Sequence, residues 1–352
     1  MTSISPVTNL DFNETKEALK TFLKNQSQFK DFDYEGSNMN VLIDVLSYNT
    51  FYNSYYYNMA ISEMFLDSAT QRNSVISHAK ELNYMPTSRR SAATKATISV
   101  TASSISSNYF NIPKHTQFIG RCGNKTYNLI TDKAYNAVRS TSNDSAYTVT
   151  DVDLYEGRMI TETLSSDQTT LSNANIDTRS LIVTVNGDVY TYRADIFGIS
   201  ATDKVFYIQP ENDGNYSVQF GKNKFGSEPT ITDSIIATYR VTAGPSANGI
   251  SSLTSGGFGG ASSITISLNA ITSGGSLAED IDSIRTFAPK ALQVQERAVT
   301  KRDYETLLRA RFPNIQAISV YGGDEVDPPQ FGKVIISVDV TGGEGAADYE
   351  IT

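Results

Sequence analysis

The apolar positions change period along the chain, from helical to alternating and back to helical. Between Asn13 and Phe29, Ala18, Leu19, Phe22 and Leu23 recur at helical spacing, while Lys16, Lys20 and Lys24 hold another face. That spacing predicts a first helix. Ser37, after Gly36, is a good N-cap, and no Pro or Gly follows before Leu66. A second helix is therefore predicted over 37–66. At 100° per residue, Val41, Tyr48, Tyr52, Tyr55, Met59 and Leu66 fall within about 60° of one another. Leu42, Leu46, Ala60 and Met64 form a second strip about 120° further round, and Ile43, Tyr57 and Ile61 take much of what remains. An apolar surface this wide needs cover on more than one side. It fits a central core helix of a helical domain. It also fits a helix that packs against other chains, because tyrosine offers large contact area with a polar tip. We expect Leu42, Leu46 and Met64 to face their own chain, and Tyr48, Tyr52 and Tyr55 to reach across. A third helix is read over 68–82, with Val75, Ile76, Ala79 and Leu82 as its stripe. Asn83 stops it, and Pro86 bars its resumption. Residues 1–10 read as a flexible arm and Lys30 to Tyr34 as a linker.

After Ser91 the pattern alternates. Ala96 to Thr101, Tyr109 to Ile112, Thr116 to Ile119 and Thr126 to Ile130 read as short strands between turns. Residues 140–180, rich in Ser, Thr, Asn and Asp, are expected to hold strands with exposed loops. Leu181 to Val185 and Val189 to Tyr192 flank Asn186-Gly187, the dipeptide of a type I′ hairpin turn. Val205 to Ile208, Tyr216 to Phe220 and Ser234 to Val241 extend the β region. The Gly/Ser-rich stretch 243–275 reads as part loop, with a strand over Ser263 to Ser267. Helical spacing returns from Asp280 to Lys290, ending near Pro289, and again from Thr300, an N-cap with Asp303 at the third position, to Phe312. Ile315 to Tyr321 and Lys333 to Val340 read as strands around an acidic, Pro-containing loop, 322–330. The fold class is thus α+β: an N-terminal helical bundle segment over 1–90, a β-rich middle domain over 91–275 and a C-terminal small α/β domain over 276–352. The stop at Thr352, after an acidic Gly-rich stretch, does not read as the close of a domain.

Composition narrows the function classes. The 352 residues are 39% hydrophobic and 19% charged, a globular balance with room for more than one domain. A net charge of −9 argues against nucleic acid as a partner, because phosphate contacts need clustered Lys and Arg. Asp44, Asn49, Asn53, Asn58 and Glu63 interrupt the long helix, so it is not a membrane span. The N-terminus lacks a charged-then-apolar secretion signal. One cysteine, Cys122, allows neither a disulfide framework nor a cysteine metal site within the chain, which suits folding in a cytoplasm.

The search for chemistry returns little. His78 reads as a surface or interface histidine and His115 as an exposed turn residue. Gly256 to Gly260 lacks the Gly-Lys-Ser/Thr of a phosphate loop, and no metalloprotease, CxxC or calcium-loop pattern exists. Asp324, Glu325 and Asp327 read as a solvated cluster. Tyr216 to Pro229 reads as a hairpin whose glycines, Gly221 and Gly226, take positive φ. No catalytic residue, cofactor or metal is expected, and the chain is not read as an enzyme. The Tyr, Ser, Thr and Asn richness of 100–270 leaves an adhesin-like or carbohydrate-binding β protein with a helical anchor as the alternative.

Several segments carry a family resemblance. Asp33 to Thr50 (DYEGSNMNVLIDVLSYNT) and Leu82 to Ser88 (LNYMPTS) resemble the N-terminal helical region of the larger wedge protein in T4-like contractile-tail phage baseplates. Phe220 to Gly226 (FGKNKFG) and Thr238 to Gly249 (TYRVTAGPSANG) are similar to the glycine hairpin and following strand of the wider baseplate J-like family. Ala288-Pro-Lys-Ala291 and Gln295 to Tyr304 (QERAVTKRDY) are similar to its most recognisable motif. The resemblance implies a virion structural protein of the tail baseplate, made in the host cytoplasm. It implies two copies bundling their N-terminal helices with a different wedge chain. Neighbouring wedges, the tail hub and sheath-initiating proteins would be the further partners. The wedges would form a ring that holds the sheath extended and rearranges to trigger contraction. On this reading Tyr48, Phe51, Tyr52, Tyr55, Tyr56 and Met59 are partner-interface residues. Arg297, Asp303 and Tyr304 belong to a ring-contact motif. T4-like relatives continue past the position of Thr352 into further domains.

Overall fold

The computed structural model describes residues 11–26, 36–102, 107–141, 143, 145–211, 214–257, 259–294, 297–312, 315–340 and 347–351. The arm 1–10, the linker 30–34, Gln295 and Glu296 of the similarity motif, and residues 341–346 lie outside them. The chain divides into two compact units, Met1–Glu81 and Leu82–Thr352.

In the first unit, α1 (Phe12–Lys24) starts at Asp11, whose Oδ1 accepts from the amides of Asn13 at 2.8 Å and Glu14 at 3.1 Å. It stops at Lys24, short of the expected Phe29, because the Asn25 amide turns back to the Phe22 and Leu23 carbonyls. Helix α2 (Asn38–Glu63) starts at the expected cap, Ser37. It ends before Leu66 because Glu63 serves the next helix. The Glu63 carboxylate accepts from the Thr70 amide at 2.9 Å, the Thr70 hydroxyl at 2.7 Å and the Gln71 amide at 3.3 Å. Helix α3 (Arg72–Glu81) follows, four residues later than its predicted start at 68, and buries Val75, Ile76 and Ala79 as its stripe predicts. His78 Nε2 sits 2.9 Å from the Glu63 carbonyl, so this histidine closes the α2–α3 corner. Asn83 takes φ 55°, the left-handed conformation that ends a helix.

The second unit opens with β1 (Ala93–Thr101), β2 (Tyr109–Ile112), β3 (Gln117–Cys122), β4 (Lys125–Thr131), β5 (Tyr135–Arg139) and β6 (Ala146–Glu156). Next come β7 (Arg158–Leu164), β8 (Ile176–Val185), β9 (Asp188–Tyr192), β10 (Val205–Pro210), β11 (Tyr216–Phe220) and β12 (Ile235–Val241). Then follow β13 (Leu253–Ser255) and β14 (Ser263–Leu268). One sheet has the order β13-β3-β4-β6-β1-β14, with the β2–β5 pair joined through β6. The other has the order β11-β10-β9-β8-β12-β7. Alternation explains the first core: Ala96, Ile98 and Val100 point inward from β1 to meet Phe118, Leu129 and Tyr147. The second sheet buries Ile176, Val183, Phe206, Val218 and Tyr239 around a separate core. The Asn186-Gly187 turn is as predicted, with φ of 52° and 89°.

The glycine turn after β11 differs from expectation. Gly226 has positive φ, but Gly221 does not; Lys222 and Asn223 take the left-handed angles instead. Gly221 is required because a Cβ there would lie 1.9 Å from the Phe225 carbonyl oxygen. Strand β11 pairs back with β10, so the turn is not a hairpin into the next strand. His115 is also not freely exposed. It is part-buried at φ 64°, and burial, with Lys114 nearby, lowers its pKa.

Between the two apolar cores lies a buried polar seam where the chain changes sheets. Strand β6 passes into β7 at Gly157, φ 134°, where a Cβ would sit 2.6 Å from both Arg240 Cγ and the Val241 carbonyl. Just before it, the Glu156 carboxylate accepts from the Thr242 hydroxyl at 2.6 Å and the Ala243 amide at 3.2 Å, on the strand's return path. Asp177, 1% exposed, accepts from the Ser91 amide at 3.1 Å and from Arg179 Nε at 3.1 Å. Buried Arg240 lies with its guanidinium 4.5 Å from the Tyr155 ring centre. Burial and the charge of Arg179 bring Arg90 down to about 10, still charged at neutral pH.

Residues 84–92 form a strap over this seam. The Tyr84 hydroxyl donates to Glu279 Oε1 at 2.7 Å, and the Thr87 amide to Glu279 Oε2 at 3.1 Å. The Ser88 hydroxyl lies 2.8 Å from that of Thr178. Glu279 leads into α4 (Ile281–Val294), which runs through Pro289 rather than ending there. Proline removes one helix hydrogen bond, but buried Ile284, Ala288 and Val294 hold both halves in place. Helix α5 (Lys301–Arg311) has the predicted start as a full capping box between Thr300 and Asp303. Strands β15 (Ile315–Gly322), β16 (Val334–Val340) and β17 (Ala347–Ile351) make a separate antiparallel sheet. The class is α+β, with a helical start, a β-rich middle and a small α/β end.

Removing one partner of a buried charge pair strands the other. Asp177→Ala is expected to destabilise the second unit by about 3 kcal/mol, the low end of that class because Arg179 keeps solvent; urea unfolding measures it. The seam also sets a pH profile. Burial alone would raise Asp177, but hydrogen bonds and charge from Arg179, with the Ser91 amide, hold it below the ordinary carboxylate range. Its contribution is present above the unfolded value of about 3.9 and lost as pH falls through the lower folded value. Burial raises Glu156, against the hydrogen bonds of Thr242 and Ala243. The folded state therefore holds that proton more tightly, and stability grows as pH falls from the folded value towards the unfolded value of about 4.3. Unfolding across a pH series should show a rise and then a fall on acidification. Glu156→Gln should remove the rise and keep the fall.

Candidate partner interface on the helical unit

Helix α1 packs beside α2, tied by Lys16 Nζ to Asp44 Oδ1 at 2.5 Å. The residues α2 buries within this chain are Asn40, Ile43 and Ser47. Two of the three are polar. The larger apolar side chains point elsewhere. Leu42 is 55% exposed, Leu46 53% and Met64 64%. This corrects the expectation that these three face their own chain. Angular arithmetic groups residues into strips, but where α1 sits decides which strip is covered, and α1 covers the narrow polar one.

The aromatic residues line the open side. Tyr48, Tyr52, Tyr55 and Tyr56 are exposed, while Phe51 and Met59 are half-buried. Tyr48, Tyr52 and Tyr56 form a ladder one helical turn per step, with Tyr55 beside Tyr56. Tyr48 and Tyr52 meet edge to face at 4.6 Å between ring centres and share a hydroxyl hydrogen bond of 2.8 Å. That bond, followed by the charge Tyr48 would carry, raises the Tyr52 hydroxyl pKa. Tyr52 stands 6.2 Å from Tyr56, and Tyr56 5.8 Å from Tyr55. A preformed ladder loses less rotamer freedom on contact than separate side chains do. Beside it, Phe12, Lys16, Val41, Asp44, Val45 and Tyr48 line an open groove of about 430 Å³ between α1 and α2.

The C-terminal motif residues differ in exposure. Arg297 is exposed. Asp303 is occupied as the α5 cap, accepting from the amides of Thr300 at 2.8 Å and Val299 at 3.2 Å; the Thr300 bond above all lowers its pKa. Tyr304 is half-buried on the first turn of α5. A cavity of about 180 Å³ is lined by Thr87, Glu279, Ser283, Phe287, Arg309, Phe312 and Ile315. Sequence reasoning missed the seam residues Asp177, Arg240 and Glu156; charged residues at inward positions of alternating strands were the available signal. Among the described residues no His, Cys, Asp and Glu group could hold a metal, and no helix is long and apolar enough to cross a membrane.

Comparison with known proteins places these features. Residues 11–84 match the family described as baseplate wedge protein gp6-like, helical domain. Residues 300–347 match baseplate structural protein gp6, C-terminal domain I. The chain is 29% identical over 347 residues to baseplate wedge protein gp6 of Enterobacteria phage T4, covering 88% of this chain and 51% of that protein. It thus spans about half the length of the curated relative it matches. A chain in the cryo-EM structure of the anti-feeding prophage baseplate aligns over 90% of this chain and 58% of its own, at 11% identity and a TM-score of 0.33, too loose to carry an argument. With the two wedge-domain matches in chain order near its ends and similarity along most of the length between, this chain is similar to the gp6-like baseplate wedge domains and to the T4 baseplate wedge protein.

Proposed function

We propose that this chain is a non-enzymatic structural component of a contractile-tail baseplate. Its first helices bundle with those of a second copy and of a different wedge chain. Its body contributes to the ring around the tail hub that holds the sheath and triggers its contraction. The observation that carries the reading is the uncovered apolar surface of α2. A helix apolar around most of its circumference is stable in water only when several neighbours cover it, and here the covered strip is the polar one. Tyr48, Phe51, Tyr52, Tyr55, Tyr56 and Met59 are the anchors. The helical segment 1–90 makes the bundle, 91–275 is the β body, and 276–352 supplies contacts between wedges through Arg297, Asp303 and Tyr304. Of these three, Asp303 acts by fixing the start of α5. The location that follows is the tail baseplate of the virion, after synthesis in the host cytoplasm.

Truncating a central aromatic anchor typically costs about 2–4 kcal/mol of binding, while exposed positions barely affect the free chain. Tyr52→Ala with Tyr55→Ala should therefore lose co-purification with the chains encoded beside it. The thermal unfolding of the β body should stay unchanged. Normal recovery of the complex from the double variant would contradict this function, and glycan binding by the β body without any complex would favour an adhesin.

A further inference from the structure

At 100° per residue, α2 carries three lengthwise strips. One runs through Asn40, Ile43, Ser47, Ser54, Asn58 and Ile61, and is buried or half-buried in this chain. The second is Val41, Val45, Tyr48, Tyr52, Tyr55 and Met59. The third is Leu42, Leu46, Asn49, Asn53, Tyr56 and Ala60, and it is exposed from end to end. Steps along the second and third alternate between four residues and three, the spacing of a coiled-coil seam. The two open strips differ in what they can accept.

We infer that the third strip is where a second copy of this chain docks, through the same strip on that copy. The inference rests on the bundle reading above and names the partner of one of its two open faces. Charge is the first argument. The charged residues of α2 are Asp44 and Glu63, and neither lies in this strip. A two-fold contact places a surface against itself, so a strip without charge meets no like charge.

The second argument is the asparagine pair. Asn53 Nδ2 donates to Asn49 Oδ1 at 3.2 Å. One such bond leaves further donor and acceptor capacity on the two amides. A foreign apolar helix laid over them would bury that capacity unmet, at a cost in free energy. A second copy brings the same amides. Whether the helices run parallel, with Asn49 on Asn49 and Asn53 on Asn53, or antiparallel, with Asn49 on Asn53, asparagine faces asparagine. Such seam asparagines set register and the number of strands.

The third argument is the shape of the other strip. Val41, Val45 and Tyr48 form one wall of the groove whose opposite side is Phe12 and Lys16 of α1. A two-fold would set that groove against its own image and leave it unfilled. A groove between two helices suits a protruding helix of different sequence.

Single cysteines in a Cys122→Ser background test the assignment, with the full chain co-expressed beside its genomic neighbours and treated with a short bis-maleimide. Asn53→Cys should convert most of the chain to a covalent homodimer, read by intact mass; Tyr52→Cys should give none. Homodimer from Tyr52→Cys, with or without Asn53→Cys, overturns the assignment. So does an assembly that holds two copies yet links through neither. Chain that stays monomeric and enters no complex overturns the bundle reading itself, and the inference with it. As a second measurement, Asn49→Leu with Asn53→Leu should keep association but shift native mass from one copy number to a mixture. An unchanged single assembly would show that the asparagines do not set the pairing.

Discussion

Two apolar cores in one body need a joint, and here the joint is ionic. The Asp177 carboxylate sits between the Arg179 side chain and the Ser91 amide, with Arg240 and Arg90 buried nearby. Chain crossings between the sheets converge on this seam: β6 into β7 past Glu156 and Gly157, β12 back past Thr242 and Ala243, and the strap at Ser91. Apolar contact would hold the sheets together without fixing their register, because it is not directional. Hydrogen-bonded charges have one good geometry, and stranding any of them in a dry interior is costly. The seam therefore sets where each sheet begins relative to the other.

The helical unit inverts the usual arrangement of a soluble helix. In an ordinary domain the apolar stripe faces inward and the polar face takes the water. Here α1 covers Asn40, Ile43 and Ser47, while leucines, valines and tyrosines remain open. The Tyr48–Tyr52–Tyr56 ladder lets aromatic rings support one another, and their hydroxyls keep a polar edge. That is a surface able to exist alone and also to be covered.

Local chemistry was legible in the sequence. Ser37 as a cap, the Thr300–Asp303 box and the Asn186-Gly187 turn each follow from a requirement met within four residues, and the structure has all three. Alternation along β1 and the buried stripe of α3 were equally readable. What depends on distant partners was not. Nothing near Asp177 in the chain announces Ser91, and nothing near Glu279 announces Tyr84. Pro289 reads as a stop until buried Ile284 and Val294 show what holds α4 through it. The same limit explains Leu42 and Leu46: their strip was visible, but which side α1 takes is a tertiary fact.

The strap has a mechanical meaning. Tyr84 and Glu279 are 195 residues apart along the chain and one hydrogen bond apart in space. Thr87 adds a second bond to the same carboxylate. Tension applied to the backbone at Leu82 reaches the root of α4 before it has crossed a single strand of the β body. The short route ties the start of the strap to the root of α4, and load passed further along it divides among the bonds of Ser88 and Ser91 to β8.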